Sequence, residues 1–165
     1  MAIPTDKDLQ LLAARVGDVL HGQHLSLVTA ESCTGGWVGK ILTDISGSSS
    51  WYDRGFITYT NQSKTDLLNV PAALIEQHGA VSEAVVKAMV EGALHHSHAN
   101  IALSITGIAG PAGGSKAKPV GLVWFGWADD HQISTESRQF DGNREAVRRQ
   151  ACAFSLHGVL NLLNA

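Results

Sequence analysis

Residues 25–45 read LSLVTAESCTGGWVGKILTDI. The first six, 25–30, are short, β-branched and apolar, which suits a strand buried on both faces. The run breaks at Thr34-Gly35-Gly36, and Trp37, Val38, Ile41, Leu42 and Ile45 then recur at helical spacing. A doubly buried strand that feeds a glycine turn and then a helix is the unit from which parallel α/β sheets are built.

The flanking sequence repeats the alternation. Upstream, Thr5 with Asp8 reads as a capping box, and Leu9, Leu12, Val16, Val19 and Leu20 carry a helix to about residue 21. Downstream, residues 56–60 (FITYT) predict a second strand, and Asn61 is placed to cap a short helix carrying Leu67 and Leu68. Pro71 opens a helical stretch to about residue 78, and Ser82 caps a longer one over 83–96. Residues 101–105 predict a third buried strand, followed by a long glycine-rich loop. Residues 120–128 and 133–140 pair as a hairpin through Asp129-Asp130-His131, and a last helix runs from about 143 to 163. The expected fold is α/β: a three-layer α/β/α sandwich whose mostly parallel central sheet is made mixed by the hairpin. With no internal repeat and no linker, residues 1–165 are expected to form one domain.

Composition narrows the function. Of the 165 residues 44% are apolar and only 16% charged, so the chain can bury a core and is not of the disordered type. A net charge of −3 argues against a nucleic-acid partner held by bulk positive charge. No apolar run approaches the roughly 18 residues that span a bilayer, and the polar start MAIPTDKDLQ is not a signal peptide. The two cysteines, Cys33 and Cys152, imply no disulfide framework, so a cytoplasmic setting is expected.

In open α/β sheets ligands bind beyond the carboxyl ends of the parallel strands. Three polar loops, the first and third rich in glycine, follow the first three strands: Glu31–Gly36, Tyr59–Lys64 and Thr106–Gly114. Each alone is turn chemistry; convergence of all three on one edge points to a binding site. The first loop sets Ser32 and Cys33 at a helix N-terminus, where Cys33, Thr34, Gly35 and Gly36 would offer backbone N–H groups to an oxyanion. Thr34 is alternatively a simple helix cap. Either Ser32 or Cys33 suits a nucleophile, since a helix N-terminus lowers a thiol pKa. The eight histidines are poorly placed to serve as base, and His95, His96 and His98 read as a solvated helix end. Lys64 is the better candidate, provided that burial brings its pKa toward neutrality. In the third loop Thr106, Gly107, Ile108, Ala109 and Gly110 match no phosphate-loop pattern, yet their backbone can form an anion nest. Arg144 and Arg148, at i, i+4 near the start of the last helix, either hold a phosphate jointly or pair with Asp141 and Glu145.

Taken in order, Thr29–Gly36 (TAESCTGG), Gly47-Ser48-Ser49, Gly55–Tyr59 with Asn61 and Lys64, Gly79–Ser82, Thr106–Pro111 (TGIAGP) and Lys118–Gly121 resemble the CinA C-terminal domain family over nearly the whole chain. The endings Phe140–Arg144 and Val147–Gln150 are similar to its stand-alone, PncC-type members, which are nicotinamide mononucleotide amidohydrolases. The resemblance implies hydrolysis of the carboxamide of nicotinamide mononucleotide to nicotinate mononucleotide and ammonia, in pyridine-nucleotide recycling. It implies a Ser–Lys pair at Ser32 and Lys64 with Tyr59 beside it, a substrate contact at Ser48, and neither metal nor cofactor. The partner implied is a small-molecule substrate, and the sequence is compatible with a homo-oligomer. The alternatives are a non-catalytic nucleotide-binding regulatory module on the same fold, separated by an assay of ammonia release, and a structural or interaction domain.

Overall fold

In a computed structural model describing residues 2–165, six helices cover the two faces of a five-stranded sheet. Helix α1 (Asp6–Gly22) opens with the expected capping box between Thr5 and Asp8. Strand β1 (Leu27–Glu31) is buried along its whole length. Its side chains alternate between two cores. Leu27 joins the core under α1, α2 (Trp37–Thr43) and α6 (Arg144–Leu162), while Val28 and Ala30 join the one under α3 (Asn61–Leu68), α4 (Ala72–His78) and α5 (Glu83–His95). This is the two-sided burial expected of a strand in an α/β sandwich.

The strand order is β2 (Tyr52–Ile57), β1, β3 (Ile101–Gly107), β4 (Leu122–Ala128), β5 (Ile133–Gln139). β1 pairs in parallel with β2 and β3, and the β4–β5 hairpin continues the sheet antiparallel. Only β4 therefore runs against the other four. The chain leaves β1 toward β2 and returns on the far side as β3, so the switch point lies between the carboxyl ends of β1 and β3.

Two elements differ from the sequence expectation. β2 lies earlier than residues 56–60, because Tyr52-Asp53-Arg54-Gly55 form a mostly exposed edge strand with a weak apolar signal. Thr58 makes one last sheet-like bond, its N–H to the Glu31 carbonyl at 2.8 Å, before the chain turns into α3. The cap of α3 is Thr60 in a capping box with Ser63, not Asn61, which is the first helical residue.

Candidate active site

Ser32 leaves β1 with its N–H donating to the Ile105 carbonyl of β3 at 3.0 Å, so the switch point itself holds it. The chain then turns: Gly35 N–H donates to the Ser32 carbonyl at 3.0 Å, and Gly36 adopts φ +94° before α2 begins. A side chain at Gly36 would be strained there and would meet Ile57 as well. The N–H groups of Cys33, Thr34 and Gly36 donate to no acceptor among the described residues.

Lys64 sits on the second turn of α3 and is 1% exposed. Its Nζ lies 3.0 Å from Ser32 Oγ and donates to the Thr58 carbonyl at 2.9 Å. Burial pulls its pKa from 10.5 down to about 8, so a useful fraction is neutral near physiological pH. In the neutral amine the Thr58 carbonyl takes one N–H, which leaves the lone pair free to accept the Ser32 proton.

These two residues line a cavity of about 290 Å³ with Cys33, Tyr59, Asn61, Ala80, Val81, Thr106, Gly107, Ala109 and Arg144. The three loops named from the sequence thus do converge. Tyr59 is exposed, and its hydroxyl accepts from Arg144 Nη2 at 2.9 Å; Lys64 is held instead by Ser32 and Thr58. Arg144 also donates to the Gly110 carbonyl at 2.8 Å, which joins the second loop to the third. Thr106 Oγ1 donates to the Ala80 carbonyl at 2.9 Å and fixes the 79–81 turn that closes one wall. Ile108 spends its N–H on Leu122 and its carbonyl on Gly121, so it is a rung of structure and no open donor.

Several sequence expectations need correction. The α2 N-terminus does not face an incoming anion, because the buried Glu31 carboxylate accepts from Val38 and Gly39 N–H at 2.9 and 3.0 Å. Any oxyanion donors must come from the turn before the helix. Thr34 is no cap either, since its buried Oγ1 has no partner among the described residues and the N-cap is Gly36. Burial pushes the Cys33 thiol up to about 12, opposite to the activation a nucleophile needs. Ser48 lies in a short 3₁₀ turn before β2, at the amino ends of the strands. The length of β1, about 16 Å, separates that end of the sheet from the end that carries Ser32. Arg148 does not line the cavity: its Nε and Nη2 donate to the Cys33 and Thr34 carbonyls at 3.0 and 2.9 Å. Neither Arg144 nor Arg148 pairs with Asp141 or Glu145; Arg149 takes Glu145 and Asp6.

Sequence reasoning gave no role to Glu31, Thr58 or the 80–81 wall. An acidic residue closing a doubly buried strand just before a helix was a readable sign for Glu31. The other two act through backbone or through shape and leave no mark in side-chain type. Among the described residues no group of three or more His, Cys, Asp or Glu stands close enough to hold a metal ion. Among the described residues no helix is long and apolar enough to cross a membrane.

Fold and cavity define an α/β/α sandwich with a contacting serine–lysine pair at the switch point of its sheet. The model of the CinA C-terminal domain matches residues 9–163, and the chain belongs to that family. A protein of Enterobacter agglomerans named nicotinamide-nucleotide amidohydrolase PncC is 51% identical over 157 residues, 94% of this chain and 96% of the relative. A Pseudomonas putida protein of the same name is 50% identical over 151 residues, 92% and 94% of the two chains. The crystal structure of competence/damage inducible protein CihA from Agrobacterium tumefaciens matches with a TM-score of 0.92 and 40% identity, covering 100% of this chain and 99% of that one.

Proposed function

We propose that the chain is a nicotinamide mononucleotide amidohydrolase working through Ser32 and Lys64, with a place in pyridine-nucleotide recycling. The observation that carries the reading is the 3.0 Å contact between Ser32 Oγ and a fully buried amine, on a cavity that also holds Arg144. The amidohydrolase relatives point to the carboxamide as the reacting group.

Neutral Lys64 accepts the Ser32 proton as Oγ bonds to the carboxamide carbon, and the carbonyl electrons move to oxygen. Collapse of the tetrahedral species breaks the C–N bond, and the proton on Lys64 passes to the leaving nitrogen as ammonia departs. Water then attacks the Ser32 ester, giving its proton to Lys64; cleavage of the C–Oγ bond returns that proton to Ser32 and releases the carboxylic acid. The sum is amide plus water to acid plus ammonia. Arg144, the one cation besides Lys64 among the described residues on the cavity wall, is the candidate partner for the substrate phosphate.

The test is ammonia release from nicotinamide mononucleotide. Wild type should release one ammonia per nicotinate mononucleotide formed, while Ser32→Ala and Lys64→Arg should be inactive yet still bind the nucleotide. Binding by wild type with no ammonia would leave a regulatory nucleotide-binding module in place of the enzyme.

A further inference from the structure

Arg148 reaches from the second turn of α6 to the nucleophile loop, in sequence more than a hundred residues away, and makes two directed bonds there. Nε donates to the Cys33 carbonyl at 3.0 Å and Nη2 to the Thr34 carbonyl at 2.9 Å. Its guanidinium also lies over the Trp37 ring, 5.3 Å from the centroid, which holds the fork from behind. Nothing in the reaction outlined above uses this residue, and it stands outside the cavity wall.

A trans peptide directs the carbonyl of one residue and the N–H of the next in opposite senses. With the Cys33 carbonyl on Arg148, the Thr34 N–H is turned away from the arginine. Thr34 is wholly buried and stands off the cavity wall, so the donor that can meet a substrate is the unpartnered N–H of Cys33, which lines the cavity. The Thr34 carbonyl, fixed in the same way, sets the peptide whose Gly35 N–H closes the turn on the Ser32 carbonyl. A cation on the carbonyl side of a peptide also polarises it and makes its N–H a stronger donor. The loop needs such an outside brace. The usual source of oriented donors, the helix N-terminus, is already occupied by Glu31.

We infer that Arg148 is a positioning residue that builds the oxyanion hole: by fixing the turn that closes on the Ser32 carbonyl, it holds the unpartnered N–H of Cys33 toward the oxygen of the tetrahedral intermediate. The inference rests on Ser32 being the nucleophile, so its test needs one readout that is independent of the natural substrate. A fluorophosphonate supplies it: Ser Oγ bonds to phosphorus, fluoride leaves, and the phosphoryl oxygen uses the same donors.

The experiment measures two rates in wild type, Arg148→Lys and Arg148→Met: Ser32 labelling by a fluorophosphonate, followed by intact mass, and turnover of nicotinamide mononucleotide and nicotinamide riboside. Arg148→Met should lower both the labelling rate and kcat about 10- to 100-fold, somewhat less than outright loss of a donor. KM should stay within about threefold, and the loss should be equal for riboside and mononucleotide. Arg148→Lys, which keeps the charge but not the two-pronged geometry, should fall between and remain folded by thermal melting. Labelling and kcat within about threefold of wild type in Arg148→Met would overturn the inference. So would a loss confined to KM and seen only with the phosphorylated substrate, which would make Arg148 a phosphate ligand. Wild type that labels at Ser32 but releases no ammonia would refute the proposed substrate, while labelling of the variants still decides the role of Arg148. Wild type that does not label at all would refute the oxyanion hole itself.

Discussion

Lys64 is among the largest fully buried side chains, and among the described residues its amine is hydrogen-bonded to one hydroxyl and one carbonyl. A fall from 10.5 to about 8 corresponds to about 3 kcal/mol against its charged form in the native state. Below pH 8 both folded and unfolded chains carry the proton, so this cost is fully present; between about 8 and 10.5 the folded chain sheds it first, and stability rises with pH. Lys64→Met should therefore be more stable than wild type by about 1–3 kcal/mol at pH 7, with the gap narrowing between about pH 8 and 10.5 and closed beyond it, as read by urea melts at pH 7 and at the alkaline end. Activity should move in the same direction for a different reason. Only the neutral amine is a base, so kcat/KM should rise with pH to a plateau with a midpoint near 8. A flat profile across pH 6–9 would remove Lys64 from that role. Cys33 tests the neighbouring position: its thiol packs among core residues beside Gly107, so Cys33→Ala should keep most of its turnover and lose stability instead.

Helix α6 delivers three arginines to three different tasks. Arg144 goes to the cavity, Arg148 to the nucleophile loop and Arg149 to a surface cluster with Asp6 and Glu145. Their spacing showed that Arg144 and Arg148 share a face; what that face meets depends on tertiary packing, which the spacing does not contain. If Arg144 holds the phosphate, Arg144→Ala should raise KM for the mononucleotide roughly 10- to 150-fold, the cost of about 1.5–3 kcal/mol of charge-assisted contact. It should change the riboside little, and equal loss on both substrates would refute the assignment. Helix α5 sets the base from behind. A methyl group at Gly92 would collide with the Leu68 carbonyl at the end of α3, the helix that carries Lys64. Gly92→Ala should thus cost about 1–3 kcal/mol in stability and lower kcat together, measured by thermal melting and ammonia release. The doubly buried strands and well-capped helices were legible because burial and capping demand particular residue types. β2 was misplaced because an edge strand asks little of its exposed face, and Ser48 because a turn residue carries no record of which end of the sheet it serves.

Across the whole molecule, Ser32 and Lys64 belong to different elements that share one rung of hydrogen bonds. Thr58 N–H meets the Glu31 carbonyl, Ser32 follows Glu31, and the Thr58 carbonyl holds Lys64. The fold class and the meeting of the three loops followed from the alternation of strands and helices; the 3.0 Å contact follows from the parallel register of β1 and β2, which no local pattern records. That rung makes the molecule unequal in its tolerance of insertions and deletions. The turns at the far ends of the strands, Gly47–Ser50 before β2 and Asp129–His131 between β4 and β5, can be lengthened with no consequence for the chemistry. One residue added between Thr58 and Lys64 would swing the amine about 100° around its helix and separate it from the serine. An insertion scan read by ammonia release should show that asymmetry, with silent sites at one end of the sheet and complete loss within a six-residue window at the other.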